Sequence, residues 1–298
     1  MKPGLVATFR QFSAAVSIKG LIAVAVWGAS FVATRMALAT LNPFGLVAAR
    51  LLMGAALLAL VIRVRGGRLW PVRRDLPACV FLGVILSVHL LMQAYGLRYT
   101  TAIQTGWIIG FIPVTIALGA WLTRQQRLSA LGWSGVALGS GGVLIVTLAK
   151  SQAFALAHWG NLLQVASCLT WTVYTLTATG PNARNGVLCV TTFGMAVAAG
   201  IAALATIWAG AWSGPPTAAS LGALVFLGLI CSGVAYYLWF AAQRDHGPAR
   251  VGSLLYVEPF VALLTGALLL HEPVTLHALF GGLCVLAGVW LVARGARQ

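Results

Sequence analysis

Residues 254–273 read LLYVEPFVALLTGALLLHEP. A stretch this apolar has the length needed to cross a bilayer, about 20 residues. It nevertheless carries Glu258, one of only four acidic residues in the chain. What surrounds Glu258 depends on what surrounds the run, and the composition decides that. The chain has 298 residues, 60% of them hydrophobic and 8% charged, with a mean hydropathy of +0.93. Soluble domains are about 25% charged. So few charges cannot cover a water-facing surface, so most of the outside faces lipid: an all-α integral membrane protein.

Apolar runs separated by Pro, Gly and Arg clusters predict ten spans, at about 19–38, 44–62, 76–95, 101–123, 129–149, 159–178, 186–209, 219–242, 250–270 and 276–293. The first reads as a membrane helix, not a cleaved leader. The net charge of +15 does not point to nucleic acid, because the basic residues punctuate the runs instead of forming a patch. With ten spans, fifteen of the nineteen Lys and Arg fall on one side, only Arg98 and Lys150 on the other, and Arg35 and Arg50 within spans. Lys and Arg accumulate in cytoplasmic loops, which predicts cytoplasmic N- and C-termini. The five cysteines lie in apolar stretches without metal-ligand spacing and read as small buried side chains. No metal or cofactor is expected.

The chain also repeats itself. A shift of 146 residues carries Arg98 onto Arg244, Gly106 onto Gly252, Pro113 onto Pro259, Gly135 onto Gly281 and Gly142 onto Gly288, without a gap. A shift of 144 carries Trp27 onto Trp171. The repeat is five helices long, and an odd count turns the second copy upside down. The expected organisation is a segment 1–18, a first half 19–149, a linker 150–158, an inverted second half 159–293 and a tail 294–298, with a central cavity between the halves. Inverted repeats and paired helix interruptions are features of secondary transporters. Pro113 and Pro259 are the paired interruptions here, expected as hinges or kinks. The glycines at 135, 139 and 142, and at 281, 282 and 288, are expected to pack the fifth and tenth helices within their own halves.

WGASFVATRMAL at 27–38 with NPFGLVAARLL at 42–52, and the stretch from Tyr256 to Val292, resemble the EamA family of the drug/metabolite transporter superfamily over essentially the whole chain. The first half departs from the pattern, with Ile112-Pro113 in place of Glu-Pro and Gln125-Gln126 in place of His271-Glu272. The resemblance implies a ten-helix carrier in a bacterial inner membrane that exports small metabolites by alternating access, with amino acids, aromatic ones included, as the leading substrates. Cationic drugs, other metabolites, and nucleotide sugars or phosphate esters are the alternatives. No HExxH, GxSxG or P-loop motif points to an enzyme or an ATP-driven pump. The expected partners are a small solute and lipid, and the expected state is a monomer.

Polar and aromatic residues at helical spacing mark candidate cavity faces: Trp27, Ser30, His89, Gln93, Trp107, Phe111, Trp171, Tyr174, Tyr236 and Tyr256. Glu258 completes the set, roughly 12 Å from the start of its run at 1.5 Å per residue. A charge at such depth costs about 2.5–3.5 kcal/mol on insertion scales and is expected to face the protein interior. Three readings stand for it: an ion pair with Arg35 or Arg50, a protonated hydrogen-bonded carboxyl, or a contact for a substrate ammonium or a proton. The scarcity of acids beside two intramembrane arginines favours the pair.

Overall fold

The computed structural model describes residues 18–124, 127–148, 154–246 and 253–297. Gln125-Gln126, Lys150, Arg250 and Gly252 lie outside them, as do most of the segment 1–18 and part of the linker. Among the described residues the fold is mainly helical: α1 (Ile18–Ala37), α2 (Pro43–Val64), α3 (Leu76–Leu97), α4 (Ala102–Ile109), α5 (Ile112–Leu122), α6 (Ala130–Leu148), α7 (Phe154–Asn185), α8 (Val187–Ala209), α9 (Ala218–Val225), a π-helical stretch Phe226–Val234, α10 (Ala235–His246), α11 (Glu258–Leu269) and α12 (Leu276–Gly295). Two-residue strands, β1 (Arg127–Leu128) and β2 (Ala296–Arg297), pair antiparallel.

Local chemistry fixes the starts. Asn42 caps α2, its Oδ1 accepting the Phe44 amide at 3.2 Å, with Pro43 at the first helical position. Thr101 caps α4 through the Gln104 amide at 3.0 Å, and Thr217 and Ser220 form a reciprocal capping box on α9. Pro113 and Pro259 do interrupt their apolar runs, but neither kinks a continuous helix. Each stands in the first turn of a new one, α5 or α11, where the missing N–H has no helical partner to lose.

Among the described residues, eight helical segments are long and apolar enough to cross a membrane. Two of the ten predicted spans fall outside that set. The segment Leu254–Leu269 is apolar but short. Helix α7 is long enough but carries a buried polar edge, Asn161, Gln164, Ser167 and Thr172. That edge is used internally: Asn161 Nδ2 donates to the Thr147 carbonyl at 3.3 Å and Gln164 Nε2 to the Gln93 carbonyl at 3.1 Å.

Most packing crosses between the sequence halves. α1 lies on α10 and α11, while α7 lies on α3, α4 and α5; α2 meets the π stretch, while α8 meets α3. α6 and α12 pack on each other, which corrects the expectation that each holds its own half together. They run antiparallel with glycine at the seam. A Cβ on Gly135 would stand 2.6 Å from the Gly288 carbonyl oxygen, and one on Gly142 2.5 Å from that of Gly281. Only glycine admits backbones this close.

Three of the four acids are tied at helix ends. Asp75 takes a forked contact from Arg184, with Nη2 to Oδ1 at 2.6 Å. Asp245 pairs with Lys19 at 2.7 Å. Glu272 pairs with Arg35 at 2.5 Å, and its carboxylate also accepts the Ala102 and Ile103 amides at 2.8 and 2.9 Å. The expected pairing of Arg35 with Glu258 is therefore replaced. Glu272 follows the end of α11 and reaches the exposed amides that open α4, where a helix N-terminus favours negative charge, and Arg35 closes the contact from the last turn of α1.

Candidate functional site

Glu258 is the fourth acid. It opens α11 directly after a 3₁₀ turn, Ser253–Val257. Gly28 of α1 lets the two backbones meet: a Cβ there would be 2.7 Å from the Glu258 carbonyl oxygen. The Glu258 side chain is buried and lines a cavity of about 80 Å³. Among the described residues it has no hydrogen-bond or ion-pair partner within reach. Arg50 lines the same cavity, also buried. Its Nε donates to Ser232 Oγ at 3.3 Å, and no carboxylate lies within ion-pair distance among the described residues. The expected Arg50–Glu258 pair is thus also absent, although one cavity holds both groups.

The rest of the lining includes aromatic and polar side chains. Trp27 contacts Tyr236 edge-on at 5.1 Å between centroids, and its Nε1 donates to the Cys231 carbonyl at 3.1 Å. That carbonyl belongs to the π stretch, a widened turn of a kind often found at functional sites. Gly54, one turn beyond Arg50, lets this stretch approach: a Cβ there would be 2.6 Å from the Ser232 Cβ. On the other side His89 lies 5.1 Å from the Trp171 ring. Its Nδ1 sits 3.0 Å from the Ser167 carbonyl, which only accepts, so Nδ1 carries the proton. Ser30, Gln93 and Pro113 complete this part of the lining.

Four residues assigned to the cavity from sequence stand elsewhere. Trp107 is fully buried, its ring against Gly282 and edge-on to Phe260 at 5.6 Å, so it wedges α4 onto α12 and α11. Phe111 packs near Gly139 of α6. Tyr174 stacks behind Trp171 at 5.3 Å. Tyr256 packs against the cluster around Val285 and Val289. Helical spacing puts a residue on a face but not on a particular neighbour, and each of these faces meets another helix. Sequence reasoning in turn missed Phe31, Leu90, Ile109, Gly110, Ile112 and Leu255 as lining. The interruption before Pro113 was a usable signal for Ile109, Gly110 and Ile112; the others carry none.

The pattern of the EamA-like transporter family matches the sequence twice, over residues 15–148 and again over 158–294. The chain belongs to that family. It is a multi-pass membrane transporter, not an enzyme. Among its relatives is an uncharacterized transporter of Bacillus subtilis, YvbV, 23% identical over 90% of this chain and 88% of that one. A probable terminal-alkyne amino-acid exporter of Streptantibioticus cattleyicolor is 27% identical over 92% of both chains. A solved crystal structure shares the fold, superposing with a TM-score of 0.68, at 23% identity, over 92% of this chain and 95% of that one.

Proposed function

We propose that this EamA transporter exports amino acids, aromatic ones included, across a bacterial inner membrane by alternating access between two inverted five-helix halves, 19–149 and 159–293. On this reading α7 and the segment leading into α11 are the sixth and ninth of ten spans, and both termini are cytoplasmic. The observation that carries it is that repeat mates face one cavity. Trp27 and Trp171, Ile109 and Leu255, and Ile112 and Glu258 all line it, and each pair is related by the internal shift of 144 or 146 residues. The glycine seam supports the same axis. The shift carries Gly135 onto Gly281 and Gly142 onto Gly288, yet Gly135 meets Gly288 and Gly142 meets Gly281. Each touches the other's mate, the exchange that a twofold axis produces.

A central site between interconvertible halves is what alternating access needs. The cavity, at about 80 Å³, is well below the roughly 300–1,000 Å³ of drug-sized pockets, so this conformation is constricted and movement of the halves supplies the widening. The aromatic walls and the relative named as an amino-acid exporter support the substrate class. Purified protein in liposomes is expected to move phenylalanine or threonine without ATP. Flux no faster than in empty vesicles across a broad amino-acid panel rejects the substrate assignment.

A further inference from the structure

Every acid but Glu258 has a cationic partner, and Arg50 has no acidic one among the described residues. Retaining two ionisable groups without a charge partner in a membrane interior is costly, and such residues mark substrate paths. If Glu258 and Arg50 served only to hold the bundle, they would meet each other or bond fully to backbone. Instead, among the described residues, Glu258 has no hydrogen bond and Arg50 has one, through Nε, which leaves the Nη donors of its planar fork without a partner there. Both face one small cavity, each is buried, and Trp27, Trp171 and Tyr236 line the same cavity.

We infer that Arg50 and Glu258 are the two ends of a recognition site for a compact zwitterion, with the ligand carboxylate on the Arg50 fork and its ammonium on Glu258. The guanidinium fork suits a carboxylate. A ligand with one charge leaves the opposite group buried and unmatched, so selectivity against it comes from that penalty as much as from attraction. Trp27, Trp171 and Tyr236 then take the apolar part of the ligand. The inference rests on the amino-acid reading above and adds which side chain holds which end.

The test uses full-length protein in nanodiscs, with quenching of tryptophan fluorescence as the binding readout, and counterflow in liposomes. The probes are phenylalanine, its methyl ester (ammonium only) and phenylpropionate (carboxylate only). Wild-type protein is expected to bind phenylalanine roughly tenfold or more tightly than either analogue, the scale of one charged hydrogen bond. Arg50→Gln removes the advantage over the methyl ester but keeps that over phenylpropionate, and Glu258→Gln does the reverse. Equal binding of phenylalanine and the methyl ester by wild type overturns the inference and points to a cation exporter. Equal loss for all three ligands in both variants also overturns it. Should a glutamine variant fail to fold, Arg50→Lys and Glu258→Asp, together with the wild-type ratios, decide. Transport of amino acids with no analogue discrimination sinks this inference alone, whereas no amino-acid binding or flux at all sinks the substrate assignment as well.

Discussion

Glu272→Gln is expected to destabilise the protein far more than Glu258→Gln, although Glu258 is the deeper of the two in the sequence. The Glu272 carboxylate is 4% exposed and takes three donors: Arg35 Nη1 at 2.5 Å and the Ala102 and Ile103 amides at 2.8 and 2.9 Å. Glutamine keeps the shape but replaces one acceptor oxygen with a donor, so at least one of the three donors loses its partner and Arg35 loses its counter-charge. Breaking a buried ion pair costs about 3–5 kcal/mol. The Arg35 side chain is 35% exposed, so water recovers part of that cost, and about 2–4 kcal/mol is the working figure. At about 2 °C per kcal/mol, the scale for a large chain, the melting midpoint falls by about 4–8 °C. Glu258→Gln breaks no contact made by the carboxyl group among the described residues, and it keeps the shape of the side chain. It should leave the midpoint within about 1–2 °C of wild type or raise it. Thermal unfolding in detergent, followed by intrinsic fluorescence on matched preparations, compares the two. A Glu258→Gln loss equal to or above that of Glu272→Gln would refute the assignment and restore Glu258 as a structural partner.

Gly288→Ala should weaken the α6–α12 seam by about 1–3 kcal/mol, the usual cost of overpacking, because its Cβ would lie 2.6 Å from the Gly135 carbonyl oxygen; a melting midpoint unchanged from wild type would mean the helices do not meet there. Gly282→Ala drives a methyl group into the Trp107 ring, so it should destabilise by a similar amount, and much less when introduced into a Trp107→Leu background. Additive losses in that double mutant would show that the two do not touch. For topology, Tyr99→Cys and Arg244→Cys should react with an impermeant maleimide from opposite faces of the membrane, against a low background because four of the five native cysteines are buried. Labelling of both from one compartment would remove the inverted arrangement.

The membrane-helix class was legible because it rests on composition, which no packing detail alters. The breaks before Pro113 and Pro259 were legible for a similarly local reason: proline cannot donate to a helix ladder. Partner choice was not. Counting charges showed that acids were scarce, and it paired Glu258 with an arginine because both lay within apolar runs. The structure pairs Arg35 with Glu272 instead, since the α4 amides that co-bind Glu272 come from 170 residues away in sequence. Nothing in a one-dimensional pattern brings Ala102 and Glu272 together. Trp107 fails in the same way. A tryptophan in the middle of a run resembles a cavity wall, and only the facing Gly282 shows that the ring is a wedge. The π stretch at 226–234 has no signal beyond Gly228 and Gly233, which also read as ordinary packing glycines.

The repeat and the charges differ in kind, and that difference bears on mechanism. Pairs of mates such as Ile109 and Leu255 both line the cavity, and on the proposed alternating-access reading such matched walls are what two interconverting states of comparable energy require. The charges break this symmetry. Ile112 occupies the position in the first half that Glu258 occupies in the second, while Arg50 stands on the first-half side. On the zwitterion reading, a bound ligand therefore bridges the halves, with its carboxylate held by one and its ammonium by the other. A ligand held at a single end would ride on one half and exert no force between them. A ligand held at both ends stabilises the state in which Arg50 and Glu258 are close and leaves open states with unmatched charges. On that reading occupancy favours the closed intermediate through differential contacts, and the proposed inverted scaffold with one ionisable group per half is sufficient to produce that coupling.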